Sequence, residues 1–413
     1  MTTRRTVLAG LAALPLATRV RAQDRGRVVV VGGGFGGATA ARFLARAGHN
    51  VTLVERDPAF VTCPFSNTVL AGLNPLEAIT FDWSGLRADG VTLVQDEATG
   101  VDDGSLALAS GDPLPFDRLI LSPGIDLRYG ALPGYDEAAA QIMPHAWKAG
   151  AQTALLRAQL EAMEDGGTVV ITAPANPYRC PPGPYERASL IADYLTREKP
   201  ASKILILDAK EAFSKQPLFE EAWATLYPGM IEWVPPSMGG NVAEVDPGTM
   251  TVATDFMSYT PAVANVIPPQ RAAAIAQDAG VADETGWCPV SGLTFESDLR
   301  PNIHVIGDAC FPGAMPKSAF SANAQAKVTA QAIDAIFRGA DPVSPKLMNT
   351  CYSLAGPDYG FTVAGVYGEA DGKLFELEEA GGISPVGAPP EVRSAEADYA
   401  RSWYATITHE SVG

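Results

Sequence analysis

The sequence predicts an α/β protein: two Rossmann-like dinucleotide-binding domains followed by a C-terminal α+β domain. Three observations carry this reading. A glycine-rich turn lies between two apolar strands near the N-terminus, and a second strand-helix-strand run occupies the middle of the chain. After residue 341 the chain alternates Tyr, Phe and Val before a Gly/Pro-rich turn and a last helix. At 413 residues and 47% apolar content there is enough chain for two or three domains. No apolar run reaches the roughly 18 residues that a membrane span needs.

Residues 1–22 read as a separate segment. Thr3-Arg4-Arg5-Thr6-Val7-Leu8, an apolar stretch to Ala17 and the small-residue site Val20-Arg21-Ala22 have the order of a twin-arginine export signal. That route carries folded proteins, so a cofactor enzyme of the periplasm is expected. Loss of residues 1–22 removes four arginines and no acids, taking the formal charge from −17 to −21. Such a surface argues against nucleic acid and anionic lipid as partners; it either steers a basic protein partner or simply serves solubility. Five cysteines in an exported chain permit disulfides, and the odd number leaves a thiol for other chemistry. The four histidines, His49, His145, His304 and His409, stand far apart, and there is no C-x-x-C-H. Neither a metal site nor a haem on this chain is expected.

The first domain, expected over 24–142 and 263–340, opens with Arg27-Val-Val-Val-Val-Gly32-Gly33-Gly34-Phe35-Gly36-Gly37. Gly32, Gly34 and Gly37 allow the tight turn, the approach of a pyrophosphate to the backbone, and the packing of helix on strand. The strand Asn50-Val-Thr-Leu-Val-Glu55 then ends in an acid placed to hold a ribose hydroxyl, with Arg56 beside it. Phe116 to Gly124 resembles the segment that returns the chain beneath FAD in two-dinucleotide flavoproteins. Asn302 to Ala309 resembles their second FAD motif, which gives Asp308 a ribityl hydroxyl to bind. FAD is therefore expected in preference to NAD.

The second unit, expected over 143–262, repeats the pattern: a helix over Gln152 to Met163, a strand over Thr168 to Thr172, a helix after Tyr185 and a strand over Lys203 to Asp208. Its phosphate loop holds Pro174, Pro177, Cys180, Pro181, Pro182 and Pro184 where a glycine fingerprint belongs. Prolines lack the N–H groups that phosphate recognition needs, so no nicotinamide nucleotide is expected here. Glu186, on the first turn of the helix that Pro184 begins, reads either as a proton shuttle or as an acid favoured by the helix dipole.

Seven collinear segments resemble the flavin subunit of flavocytochrome c sulfide dehydrogenase and its sulfur-oxidation relatives, within the glutathione-reductase-like superfamily. They are Phe60 to Asn67, Tyr178 to Arg187, Gly286 to Val290, Gly307 to Cys310, Met315 to Asn323, Asn349 to Ser353, and Ser402-Trp403-Tyr404. The resemblance implies an 8α-thioether from Cys63 to FAD and a redox disulfide between Cys180 and Cys351 over the flavin. It also implies oxidation of hydrogen sulfide to sulfur or polysulfide. Hydrosulfide attacks the disulfide, a persulfide forms on one cysteine, and the thiolate placed at Cys351 passes electrons to the flavin. A separate c-type cytochrome, the only carrier of haem, accepts them by contact with the C-terminal domain over 341–413.

The same resemblance places Gly124 beneath the FAD, and Lys317 with the helix starting near Ala319 beside the flavin pyrimidine. Lys327 is expected on a solvated face, Tyr178 and Trp287 in the core, and Cys288 and Cys310 without a catalytic role. The last helix is expected to be short and too charged for a bilayer anchor. Two other functions share these features: a sulfide:quinone oxidoreductase, and a non-catalytic flavin or persulfide carrier.

Overall fold

The computed structural model describes residues 26–413; the expected export signal lies outside them. Along the chain run β1 (Arg27–Val31), α1 (Phe35–Arg46), β2 (Asn50–Glu55), α2 (Ser66–Leu70), β3 (Thr92–Gln95) and β4 (Arg118–Leu121). The middle follows as α3 (Ala151–Ala162), β5 (Thr168–Ala173), α4 (Gly183–Glu198), β6 (Lys203–Asp208), α5 (Gln216–Leu226), β7 (Ile231–Val234) and β8 (Val263–Val266). The last third contains β9 (Ile303–Val305), α6 (Ala319–Phe337), β10 (Lys346–Gly356), β11 (Tyr359–Ala370), β12 (Lys373–Glu376) and α7 (Pro390–Ser411).

Two parallel sheets organise the molecule, ordered β9-β4-β1-β2-β3 and β7-β6-β5-β8. Val28 to Val31 are all buried. Helices cover both faces of such a sheet, so its central strand reads as a continuous apolar run instead of an alternating one. At the end of β1 the chain turns through Gly32, whose φ of +96° belongs to glycine and whose Cβ would strike the Ser122 carbonyl. A Cβ on Gly37 would collide with the Gly32 carbonyl, so this glycine lets α1 lie against the strand end. Val263–Val266 pairs with β5 in the second sheet. The expected boundary after residue 262 therefore falls one strand early, because the run is apolar enough for either sheet.

The C-terminal region is the antiparallel set β10-β11-β12 with α7 laid across it. α7 is 22 residues long, which corrects the expectation of a short helix. Pro390 starts it at a position where proline's missing N–H is no loss. Its buried face is made of Ala397, Ala400, Ile407, Thr408 and Ser411, with Arg393 buried through pairing to Glu221 at 2.8 Å. Small and polar residues thus do the packing, and an apolar periodicity does not reveal it. Lys327, expected in solvent, is one-third exposed and pairs with Glu410 of α7 at 2.7 Å.

Candidate active site

The C-terminal end of β1, the return after β4 and the turn after β9 open onto one cavity of about 1170 Å³, beyond the roughly 300–1,000 Å³ usual for small-molecule pockets. Gly32, Gly34, Glu55 and the rim residue Arg56 line it at the ends of β1 and β2, Gly124 and Asp308 where the chain leaves β4 and β9, and Cys63, Cys180, Glu186 and Cys351 where α2, α4 and β10 reach it. Residues distant in sequence thus meet because three switch-point loops and the β10-β11 hairpin converge there.

The nucleotide end has the right chemistry for a dinucleotide. Glu55 accepts from the Gly33 N–H at 2.6 Å and the Asp57 N–H at 3.0 Å, which fixes its carboxylate at the cavity wall. Arg56 is exposed and within 3.5 Å of Glu97. Asp308 carries a buried Oδ1 with no hydrogen-bond partner, while its Oδ2 lies 3.8 Å from Arg179. Burial holds this carboxyl above the usual range against the pull of Arg179 and Lys317. An orphaned acceptor facing a long cavity calls for a hydroxyl donor from a bound group, and the ribityl chain of FAD supplies one. The residues present fit FAD.

At the far end, Cys180 sits in left-handed backbone, φ 57°, an unusual setting for a non-glycine residue. Its N–H donates to the Lys317 carbonyl at 3.0 Å, and its carbonyl accepts from Gly183 at 2.8 Å. Burial pushes the thiol well up, with Glu186 and Cys351 adding to it and Arg179 and Lys215 opposing. Cys351 lies mid-strand opposite Val363. Its sulfur accepts from Asn349 Nδ2 at 3.2 Å, and Asn349 Oδ1 accepts from Ser318 and Ser321 at the start of α6. Ser318 caps α6 by accepting from the Ser321 N–H. All five cysteines are free thiols here; Cys180 and Cys351 share the cavity without being bonded. Cys63 faces the same end, its thiol 3.5 Å from the Trp147 carbonyl.

Glu186 lies on the first turn of α4 and lines the cavity. Burial raises its carboxyl to about 7, against the opposing pull of Lys215, Asn67 and Arg187. A carboxyl poised at neutral pH can both take and give a proton.

Lys317 departs from expectation. Its ammonium turns away from the cavity to the carbonyls of Asp308 (2.9 Å) and Cys310 (2.7 Å) and stands 3.8 Å from the centre of the Trp287 ring. It is a structural cation that holds the turn after β9, because those carbonyls and the ring satisfy it where the cavity would not. Gly37 also stays off the cavity wall, serving helix packing alone. Tyr178 and Trp287 are core residues as expected.

The sequence assigns no role to several residues at this end, although Asn67, Arg179, Arg187 and Trp403 lie in the segments that carry the resemblance. Arg187 donates to Asn67 Oδ1, Asn265 Oδ1 and the carbonyls of His145 and Ala146 at 2.6–3.1 Å. Arg179 reaches the Trp147 carbonyl, and Trp403 of α7 lines the cavity beside Phe320 and Tyr352. Trp147 also lines the cavity, with Arg187 stacked 5.0 Å from its ring. In the second unit, Asp208 ends β6 where a nucleotide-binding acid would stand, yet it is fully buried. It accepts from Tyr185, Trp233 and Lys210.

Comparison with known proteins agrees with this geometry. Residues 153–268 match the central domain of the sulfide dehydrogenase [flavocytochrome c] flavoprotein chain, and residues 343–412 match the flavin-binding domain of flavocytochrome c sulphide dehydrogenase. The flavoprotein chain of sulfide dehydrogenase [flavocytochrome c] from Chlorobaculum thiosulfatiphilum is 64% identical over 45 residues, 10% of this chain and 94% of that one. The chain belongs to the flavocytochrome c sulfide dehydrogenase flavoprotein family. As a member of that family it is a flavoprotein oxidoreductase. Residues 26–161 further match the pyridine nucleotide-disulphide oxidoreductase family. Its fold is similar to sulfide:quinone oxidoreductase from Aquifex aeolicus, with TM-score 0.69 and 18% identity over 94% of this chain and 92% of that one. It also resembles the putidaredoxin reductase–putidaredoxin complex, with TM-score 0.66 and 16% identity over 90% and 93% of the two chains.

Proposed function

We propose that this family member oxidises hydrogen sulfide to a polysulfide through a Cys180–Cys351 redox disulfide and passes the electrons by way of FAD to a c-type cytochrome. The observation that carries this reading is the convergence of Cys180, Cys351 and Glu186 on a cavity whose other end suits a dinucleotide. Hydrosulfide attacks Cys180 Sγ; the S–S bond breaks, leaving a persulfide on Cys180 and a thiolate on Cys351, which Asn349 Nδ2 receives as donor. A second hydrosulfide takes the outer sulfur as HSS⁻ and leaves a Cys180 thiolate. The two hydrosulfides release one proton, which Glu186 takes, and the cysteines hold the two electrons. FAD, when bound, supplies the acceptor that draws this pair off. Glu55, Asp308 and the turn at Gly32 would hold it, and Cys63 would fix its ring through a thioether.

The proposal includes export by residues 1–22. It also makes the cytochrome a separate chain, since the sequence contains no C-x-x-C-H for haem attachment. The fold likeness to a sulfide:quinone oxidoreductase supports quinone as a second acceptor to test. Anaerobic sulfide should bleach the flavin, and cytochrome c should reoxidise it; Cys351→Ser should abolish bleaching while flavin stays attached. Efficient turnover with a soluble quinone and none with cytochrome c would move the quinone reading ahead. Absence of bleaching would leave a flavin or persulfide carrier.

A further inference from the structure

Lys215 lies just outside the cavity wall, at the start of α5, and is 5% exposed. Its backbone is left-handed, φ 63°, so the chain accepts an unfavourable conformation to aim this side chain inward. Nζ donates to the Cys351 carbonyl at 2.8 Å and to Ser353 Oγ at 2.7 Å, and the Phe361 ring lies 5.5 Å away. Among the described residues no carboxylate stands within ion-pair distance of it. A buried ammonium with only neutral partners is expensive to keep. Burial lowers its pKa from the ordinary lysine range, and the acidic groups near enough to oppose that are Cys351, Glu186 and Cys180, then Glu396 of α7. All but Glu396 belong to the sulfur site.

We infer that Lys215 is a positioning residue of the sulfur site. Its two hydrogen bonds pin β10 beneath Cys351, and its ammonium charge offsets the negative charge that the cysteines acquire when their disulfide is reduced. The inference rests on the function proposed above and deepens it. In the oxidised site Glu186 and, outside the sulfur site, Glu396 of α7 are the neighbours that can carry negative charge; after hydrosulfide attack, thiolate charge appears at Cys351 and then at Cys180. Arg179 and Arg187 contribute on the α4 side, and Asn67 approaches from α2. Lys215 is the cation anchored on the strand that carries Cys351, which places its effect on the leaving sulfur. A cation favouring the reduced pair raises the potential of the couple, easing reduction by sulfide.

The test uses the full-length flavin-loaded protein and three variants, Lys215→Met, Lys215→Gln and Lys215→Arg. Each is equilibrated in glutathione mixtures, and the Cys180/Cys351 state is read by alkylation and mass. One disulfide plus two glutathione thiols gives two cysteine thiols plus glutathione disulfide, so the equilibrium constant follows from the labelled fraction. Lys215→Met should shift it about tenfold toward the disulfide, equivalent to about 30 mV, with Lys215→Arg within about twofold of wild type. The limb of the pH–rate profile set by Glu186 should move to higher pH in Lys215→Met and stay in Lys215→Arg. Lys215→Gln keeps a donor for the Cys351 carbonyl but no charge, and it carries the test if Lys215→Met fails to fold. Wild-type values in Lys215→Gln overturn the inference. If Cys180 and Cys351 never link in the wild-type protein at any glutathione ratio, the proposed function itself falls; a normal couple with unresponsive variants removes only the role of Lys215.

Discussion

Replacing Glu186 by Gln isolates the proton-handling carboxyl, and the structure fixes the sign of its effect. Glu186 sits in the folded protein at about 7 against an ordinary 4.5, a difference worth about 3 kcal/mol at about 1.4 kcal/mol per decade. A raised carboxyl binds its proton more tightly folded than unfolded. Its contribution is most favourable below pH 4.5, declines as pH rises from 4.5 to 7, and is fully lost above the folded value. Glutamine has the same shape and does not titrate. The variant should therefore gain stability relative to wild type as pH rises, by up to about 3 kcal/mol between pH 4.5 and 8, less where water in the cavity solvates the carboxylate. Urea unfolding of both proteins across that range reads the difference directly. Sulfide-dependent flavin bleaching should meanwhile fall by about 10²–10⁴, the usual share of a general acid–base group, and lose its limb near neutral pH. A stability difference that stays flat with pH refutes the placement of a proton on Glu186.

Asp308→Ala removes a buried acceptor that lacks a partner; the flavin-free protein should become no less stable, while flavin affinity, measured in a Cys63→Ser background, drops about 10- to 100-fold for the loss of one charge-assisted bond. Cys63→Ser should bind flavin that acid precipitation then releases, whereas the wild-type flavin stays with the protein; release from both sinks the thioether. Arg187→Leu strands two asparagine oxygens and two carbonyls and should cost about 3–5 kcal/mol, seen as a fall in thermal midpoint. Gly37→Ala forces a Cβ into the Gly32 carbonyl and should cost about 1–3 kcal/mol with weakened flavin binding, although the residue never faces the cavity.

What the sequence could reveal was set by whether a residue's role is local. The turn at Gly32, the acid at Glu55 and the strand Lys203–Asp208 are readable because backbone conformation and apolar runs constrain neighbouring positions. Proline replacing glycine around Cys180 is readable for the same reason. Long-range partnership is not, apart from the pairing of Cys180 with Cys351 that the resemblance implies; both line the cavity. The β10-β11 hairpin brings Asn349 and Cys351 to the start of α6, and Trp403 arrives on a helix whose buried face is mostly alanine and hydroxyl side chains. Lys317 shows the reverse error: its place after the turn suggested a cofactor contact, yet two carbonyls and an indole hold it on the other side. Lysine position along a chain gives charge but not direction, and direction decides whether the charge acts on the cavity. Lys215, 136 residues from Cys351, acts through its direction, so the electrostatics of the sulfur site belong to the packing of α5 against β10 and not to any motif.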